Sequence, residues 1–445
     1  MLGRAPTGQA SERALQAGRA AGSASVHDHV NRRNLIASLA SVVAVATAEV
    51  AGAQASFSGL GNLPSAANSS EALAVSADGR VIVGRSSSTS GGEAFRWEAG
   101  VMTGLGDLPG GQFSSLAKAV SADGQIIVGE SRSSSGLEAF RWEGGVMTGL
   151  GDLPGGSFSS RANGVSADGS VIVGGSSGAA GYEAVRWSGG SMTPLGQLPG
   201  GNSSSQAMGV SGDGELLAGY GYNPDDLEAA VWQGTTITGL GYLEDPAQPS
   251  FQSRASGVSG NGSVVFGQSD NFRRVFDPYS GQYVIATYLE PFRYLGGVMV
   301  SLFDGISPGE PPGQPWTYGY ALAADADGSV IVGYGYGAWL WDESGGMRDL
   351  EYALENEYGL DLSSWILTRA TGVSADGTVI VGYGTNPSGD KEAWMAVIPQ
   401  LAPDPEPQAI PGLSPTGLTL FIGCIVGTTL WTTRRAASLA RSESQ

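Results

Sequence analysis

The motif Val-Ser-Ala-Asp-Gly stands at Val75, Val120, Val165 and Val373, and recurs in altered form at Val210, Val258 and Ala324. Its starts lie 45, 45, 45, 48, 66 and 49 residues apart. A period of this size means one supersecondary unit per repeat, and no such unit can bury its apolar face alone. The fold must therefore be an array in which each unit is completed by its neighbours.

The second copy shows what one unit contains. Leu116–Ser121 reads as a short strand, Ala122-Asp123-Gly124 as a tight turn, and Gln125–Gly129 as a β-branched run. Glu138–Trp142 is a further short strand, Glu143-Gly144-Gly145 turns the chain, and Val146–Leu153 closes the unit. Asp-Gly between apolar runs is a strong hairpin signal, because Gly tolerates positive φ and Asp comes close to it. Four short antiparallel strands with Gly or Pro at each reversal match one propeller blade. The third strand reads EAFRW, EAVRW or EAAVW and drifts to EPFRY, GAWLW and EAWMA. Alternation puts Phe95 and Trp97 on one face, where they are expected to fill the space between blades.

The fourth strand decides between a ring and an open stack. It appears as MTGLGDLPGG at 102–111 and 147–156, but the seventh copy lacks it after Ala396. Its counterpart lies at the other end, where Phe57–Pro64 matches Met102–Pro109 position by position. A strand that completes the last blade from the opposite terminus closes a ring and removes two sheet edges. The expected fold is all-β: a seven-bladed β-propeller of four-stranded blades over 56–399, closed by an N-terminal strand, with a C-terminal transmembrane helix added.

Both ends read as addresses. In residues 1–55, Asn31-Arg32-Arg33 precedes an Ala/Val-rich run ending Ala53-Gln54-Ala55, the pattern of a signal peptide cleaved after Ala55. The paired arginines fit either the general secretory or the twin-arginine route. The long lead before Asn31 is compatible with a start codon assigned too far upstream. Residues 400–416 form a Pro-rich linker, 417–433 an uncharged stretch just long enough to span a bilayer, and 434–445 a basic tail expected on the cytoplasmic side.

The repeats resemble the bacterial extracellular HAF-repeat family over nearly all of 56–399, although Glu93-Ala94-Phe95 stands where that family has His-Ala-Phe. The tail resembles PEP-CTERM-type sorting signals through Pro405-Glu406-Pro407 and the Arg434-Arg435 cluster. Ile410-Pro411, Ser414 and Pro415, abutting the apolar stretch, look more like related signals opening I-P-x-L-S. The resemblance implies export to the outer surface, transient membrane anchoring and handling by envelope-sorting machinery.

Charge and composition narrow the chemistry. The net charge is −19, and segments 1–55 and 434–445 each carry +2, which leaves −23 on the remainder. Such a body repels nucleic acid, so no nucleic-acid partner is expected. The single cysteine, Cys424, lies in the apolar tail, and His27 and His29 lie upstream of Ala55. A Ser-His-Asp triad, a Cys nucleophile and an ordinary zinc site are thus unavailable to the domain. Lys118 and Lys391, its only lysines, are expected to be solvated. Asp78, Asp123, Asp168, Asp213, Asp327 and Asp376, with Asn261, are read as turn formers. No catalytic residue, metal site or cofactor is assigned.

Irregularity points to function. Three insertions fall in loops that open on one face of a propeller: Asp270–Tyr288, Asp304–Tyr320 and Glu351–Trp365, the last with a helical pattern at Leu354, Tyr358 and Leu362. Phe272, Arg273, Arg274, Phe276, Tyr279, Tyr283, Trp316 and Tyr318 are the ligand-face candidates, because aromatic rings with Arg suit sugar faces or acidic polymers. The expected function is a non-enzymatic, surface-anchored repeat protein of the cell envelope or matrix, binding a glycan or matrix polymer on that face. The alternative is a carboxylate-dependent polysaccharide hydrolase or lyase, which needs only two suitably placed acids.

Overall fold

The computed structural model describes residues 54–399 apart from 66, 235, 244–250, 278–281 and 304–317; for 272–277 and 283–287 the backbone alone is described. Residues 1–53, nearly all of the expected signal segment 1–55, and everything from 400 onward, including the expected spanning stretch 417–433, lie outside the described residues. Among the described residues no helix is long and apolar enough to cross a membrane.

The described chain is built of strands, with one short helix. In the second repeat, strands Gly110–Val120, Ile127–Ser133, Leu137–Glu143 and Val146–Gly149 form an antiparallel meander. The first strand starts six residues before the expected Leu116, and the last ends before the expected Leu153. The reversal between the first two strands satisfies its own polar groups. Ser121 Oγ donates to Asp123 Oδ1 at 2.6 Å and accepts the Ile126 N–H at 2.9 Å. Asp123 Oδ1 also accepts the Gln125 N–H at 3.0 Å, and Gly124 supplies the required φ of 73°. The Ser and Asp of the repeat motif are therefore turn chemistry. Gly129, on the second strand, has a different cause: a Cβ there would overlap the Leu116 carbonyl oxygen.

Neighbouring meanders touch through single parallel bridges, Gly92↔Ser114 and Ser159↔Leu137, which fuse the first three into one twelve-stranded sheet. A belt of backbone hydrogen bonds also links the Asp-Gly turns. Ala77 N donates to Ala122 O, Ala122 to Ala167, Ala167 to Gly212 and Gly212 to Gly260, at 2.7–3.1 Å. Asn261 then donates to Ala326, Ala326 to Ala375, and Ala375 back to Ala77. A belt that returns to its first member requires a closed ring.

The clasp lies where the sequence places it. Ser56–Gly59 pairs antiparallel with Lys391–Val397, with Phe57 opposite Ala396 and Gly59 opposite Trp394. Ser70 Oγ accepts the Ala393 N–H at 2.9 Å and donates to Gly61 O at 2.6 Å, so the first repeat is stapled to both the last strand and the clasp. The same staple recurs at the interior seam, where Ser115 Oγ binds Ala94 N and Gly106 O. The Phe57 ring meets Trp365 edge-on at 5.3 Å.

The core is divided among the seams. Leu60, Leu63, Ala72, Ile82, Phe95, Val379, Val381 and Ala393 form one such cluster, with Trp97 at its margin. Phe95 is fully buried there, which contributes about 2 kcal/mol. The aromatic repeat residues thus fill the space between adjacent units.

Two insertions take regular structure. Asp270–Tyr288 is not a loop but lengthens a hairpin: Val265–Asp277 pairs with Gln282–Leu295 in unbroken register from Val265↔Tyr294 to Asp277↔Gln282. Its aromatic and β-branched content favours strand over coil. Within Glu351–Trp365 the helix is Leu350–Asn356, capped by Asp349 Oδ1 accepting the Tyr352 N–H at 2.9 Å. Leu350, Ala353, Leu354 and Leu362 are buried, so this insertion packs as core.

Candidate ligand-binding rim

Most repeated polar side chains have a structural job. Glu93, Glu138, Glu228 and Glu392 each use Oε1 to accept a backbone N–H, from Gly106, Gly151, Gly241 and Gly61, at 2.8–3.1 Å. Ser86, Ser131 and Ser176 accept the Leu63, Leu108 and Leu153 N–H groups. The positions that differ between repeats are the informative ones.

Two such positions face each other across the inner hairpin of each repeat. On the first strand they are Glu71, Leu116, Arg161, Gln206, Arg254, Tyr320 and Arg369; opposite them stand Arg85, Glu130, Gly175, Tyr220, Gln268, Tyr334 and Tyr383. These residues lie at the end of the inner strand that the insertions enter, as Tyr318 and Tyr320 directly follow 304–317. They interlock from one repeat to the next. Arg161 Nε is 3.3 Å from Glu130 Oε2, Arg254 Cζ lies 5.6 Å from the Tyr220 ring, and Arg369 Cζ lies 3.9 Å from the Tyr334 ring.

Across the sixth, seventh and first repeats these contacts join into one arc. Tyr336 meets Tyr318 at 5.0 Å, Tyr318 meets Tyr320 at 6.4 Å, and Tyr320 stacks on Tyr334 at 4.6 Å with 5° between planes. Arg369 covers Tyr334 and reaches Tyr383 at 5.8 Å; Lys391 Nζ lies 5.6 Å from Tyr383 and 2.6 Å from Glu71 Oε1. Burial raises the phenol pKa of Tyr334 and Tyr383, with the Arg369 charge opposing it, so both hydroxyls stay protonated and able to donate.

Deeper along the same strands, a central cavity of about 510 Å³ is lined by inner-strand residues of every repeat, from Leu73 through Lys118, Asn163, Met208, Ser256 and Leu322 to Thr371. Lys118 is not solvated as its sequence context suggests. Its side chain is 22% exposed, and Nζ lies 2.6 Å from Glu130 Oε2 and 3.2 Å from Asn163 Oδ1. Burial pushes its ammonium below the usual lysine range, with the Glu130 carboxylate opposing the shift. The flanking Ala117 and Ala119 give no sign of this placement, since it arises from the ring and not from the strand.

At the opposite rim, Asp325, Asp342 and Asp376 border a cavity of about 680 Å³ between the sixth and seventh repeats. Asp325 occupies the motif's Ser position and accepts the Val330 N–H at 3.1 Å and Ser329 Oγ at 2.8 Å. Asp342 pairs with Arg348 Nη2 at 2.5 Å, and Asp376 accepts Ser374 Oγ at 2.6 Å. No group of three or more metal-capable side chains occurs among the described residues.

Of the sequence candidates, Tyr318 joins the arc. Phe272, Arg273, Arg274, Phe276 and Tyr283 sit on the lengthened hairpin, placed by backbone register alone, while Tyr279 and Trp316 lie outside the described residues. Ala55 immediately precedes the clasp strand. Pro405, Glu406, Pro407, Ile410, Pro411, Ser414, Pro415, Arg434 and Arg435 lie outside the described residues. Tyr320, an aromatic of the second insertion, also joins the arc, whereas Arg369, Tyr334, Tyr336 and Tyr383 escaped the sequence reading; aligning the repeats position by position would have exposed Tyr334, Arg369 and Tyr383.

No protein-family model matches the chain, and no curated protein matches it. Among solved structures it is similar to TolB from Acinetobacter baumannii, at 11% identity and TM-score 0.36, covering 63% of this chain and 65% of that one. Kuenenia stuttgartiensis hydrazine synthase matches at 12% identity and TM-score 0.43, covering 72% and 94%. The β-propeller domain of the Trilobed protease from Pyrococcus furiosus matches at 11% and 0.37, covering 64% and 76%. At such scores the architecture is argued from the chain's own pairing: a closed ring of antiparallel meanders around a central cavity, which defines a β-propeller repeat protein.

Proposed function

We propose that this is an exported, surface-anchored, non-enzymatic propeller of seven blades that binds a glycan or matrix polymer of the cell envelope on the rim bearing the insertions. The observation that carries the reading is the division of labour among polar residues. Groups common to the repeats hold turns and seams, whereas two facing rim positions differ from repeat to repeat and, from the sixth repeat to the seventh, carry three tyrosines and an arginine in contact. Varied side chains on a rigid scaffold are the usual form of a binding surface. The signal-like segment ending at Ala55 and the HAF-like and PEP-CTERM-like patterns support the exported, anchored part of the reading.

The test is a glycan panel on the full chain, beside a version with Asp270–Tyr288 shortened to a two-residue turn. Binding reduced by the shortening is expected; absence of binding to every envelope or matrix glycan overturns the reading. Turnover of a polysaccharide, lost on replacing Asp325 or another single acid, would establish the hydrolase or lyase alternative instead. Deleting Ile410–Gln445 is expected to release the protein into the medium, and unchanged membrane retention refutes the anchor.

A further inference from the structure

We propose that the rim between the sixth and seventh repeats binds a carboxylate-bearing sugar chain, a uronic-acid polysaccharide, with Arg369 contacting the carboxylate and Tyr336 and Tyr318 stacking on the sugar. The inference rests on the glycan-binding reading and specifies its ligand class.

Arg369 is the central observation. The chain has 42 acidic residues against 23 basic ones, and Arg161, Arg293 and Arg348 each have a carboxylate partner. Arg369, like Arg85, Arg132, Arg186 and Arg254, has none among the described residues, but it alone of these lies against two rings, Tyr334 and Tyr383. A guanidinium held over a ring keeps its N–H edges available, and their planar fork matches a carboxylate bidentately. Stacking also fixes the group before binding, so less side-chain entropy is lost when an anion arrives.

The surroundings favour a sugar acid over another anion. Tyr336 is 54% exposed and packs on Tyr318 at 5.0 Å, offering aromatic surface at the other end of the arc. From there the rings continue through Tyr320 and Tyr334 to Arg369. Flat apolar faces along one arc with an anion-binding fork suit a chain of several units, with the C–H face of one on the rings and the carboxylate of another on Arg369. The acidic body does not forbid this at physiological salt, where the screening length is about 8 Å and contact-range pairing persists.

The experiment is calorimetric titration of the full chain with oligogalacturonate, its carboxyl-reduced neutral counterpart and polyglutamate, at about 0.15 M salt. The acidic sugar is expected to bind about tenfold more tightly than either control. Arg369→Gln is expected to weaken the acidic sugar about tenfold and leave the neutral one unchanged, with Arg369→Lys recovering part of the loss. Tyr336→Ser, at an exposed site, is expected to weaken both sugars about threefold, and it tests the site even if Arg369→Gln misfolds. Equal binding of acidic and reduced sugars, indifferent to Arg369→Gln, overturns this inference and leaves the glycan-binding reading intact. Polyglutamate binding as tightly as the sugar also overturns it, in favour of a general anion site. Failure of every sugar to bind, including a neutral panel, overturns both.

Discussion

Removing one oxygen from Ser70 tests whether the ring is closed. Ser70 is 1% exposed, and its Oγ bonds the Ala393 N–H and Gly61 O, at 2.9 and 2.6 Å. Ser70→Ala leaves a buried donor and a partly buried acceptor without that partner. At about 1–3 kcal/mol for each such group, and with some relaxation, the loss is about 3 kcal/mol. Unfolding entropy of about 2.1 cal/mol/K per residue over about 340 residues gives ~0.7 kcal/mol/K, so the midpoint should fall by about 4 °C. Ser115→Ala is the internal standard, because Ser115 makes the same two bonds at 2.9 and 2.5 Å across an interior seam. In a closed ring the two variants lose about the same stability in thermal and urea unfolding. In an open array the Ser70 seam does not exist, and that variant should lose less than about 0.5 kcal/mol. A shifted Ser115→Ala beside an unshifted Ser70→Ala would refute the clasp.

Three further outcomes follow from the repeat chemistry. Ser166, then Ser170, hydrogen-bond the Asp168 carboxylate and hold its pKa at about 2, below the ordinary 3.8; a depressed carboxylate stabilises above its unfolded pKa and loses that contribution as pH falls toward 2. The urea midpoint should therefore drop between about pH 4 and pH 2, and less steeply in Asp168→Asn; parallel acid limbs would refute the assignment. Asp325 has the opposite sign: burial raises its carboxyl pKa. Asp325→Ser, which restores the motif, should stabilise by about 1 kcal/mol at neutral pH and by progressively less as pH falls through the raised folded pKa, the gain vanishing below the unfolded one; a gain independent of pH would count against it. Gly129→Ala meets the Leu116 carbonyl oxygen and should cost about 3 kcal/mol and most soluble yield. Gly144→Ala, at φ 56° with nothing within 4 Å of the added carbon, should cost only about 1 kcal/mol; equal losses would show that space is not the cause.

The parts of the molecule legible in the sequence are those whose cause is local or repeated. The Asp-Gly turns could be read because Ser121 and Asp123 satisfy groups within five residues. The clasp could be read because Phe57–Pro64 repeats Met102–Pro109; the helix lies ahead of its expected pattern, since of Leu354, Tyr358 and Leu362 only Leu354 lies in Leu350–Asn356, and Leu362 is buried beyond its end. The hairpin at 265–295 departs from the expected loop because the residues added to the repeat are themselves strand formers and extend both strands in register. Lys118 and Arg369 could not be placed from strand patterns at all. Each acquires its environment from another repeat, Asn163 in one case and Tyr334 in the other. In a ring of near-identical units the scaffold fixes what must repeat, so a site can be built only from residues that depart from it. The departures at Tyr320, Tyr334, Arg369 and Tyr383 fall at two registers of adjacent hairpins and meet on one rim. Asp325 departs from the motif on the opposite rim, but it only takes over turn bonds of the serine it replaces; these four meet one another, and that convergence is the strongest physical reason to place the site there.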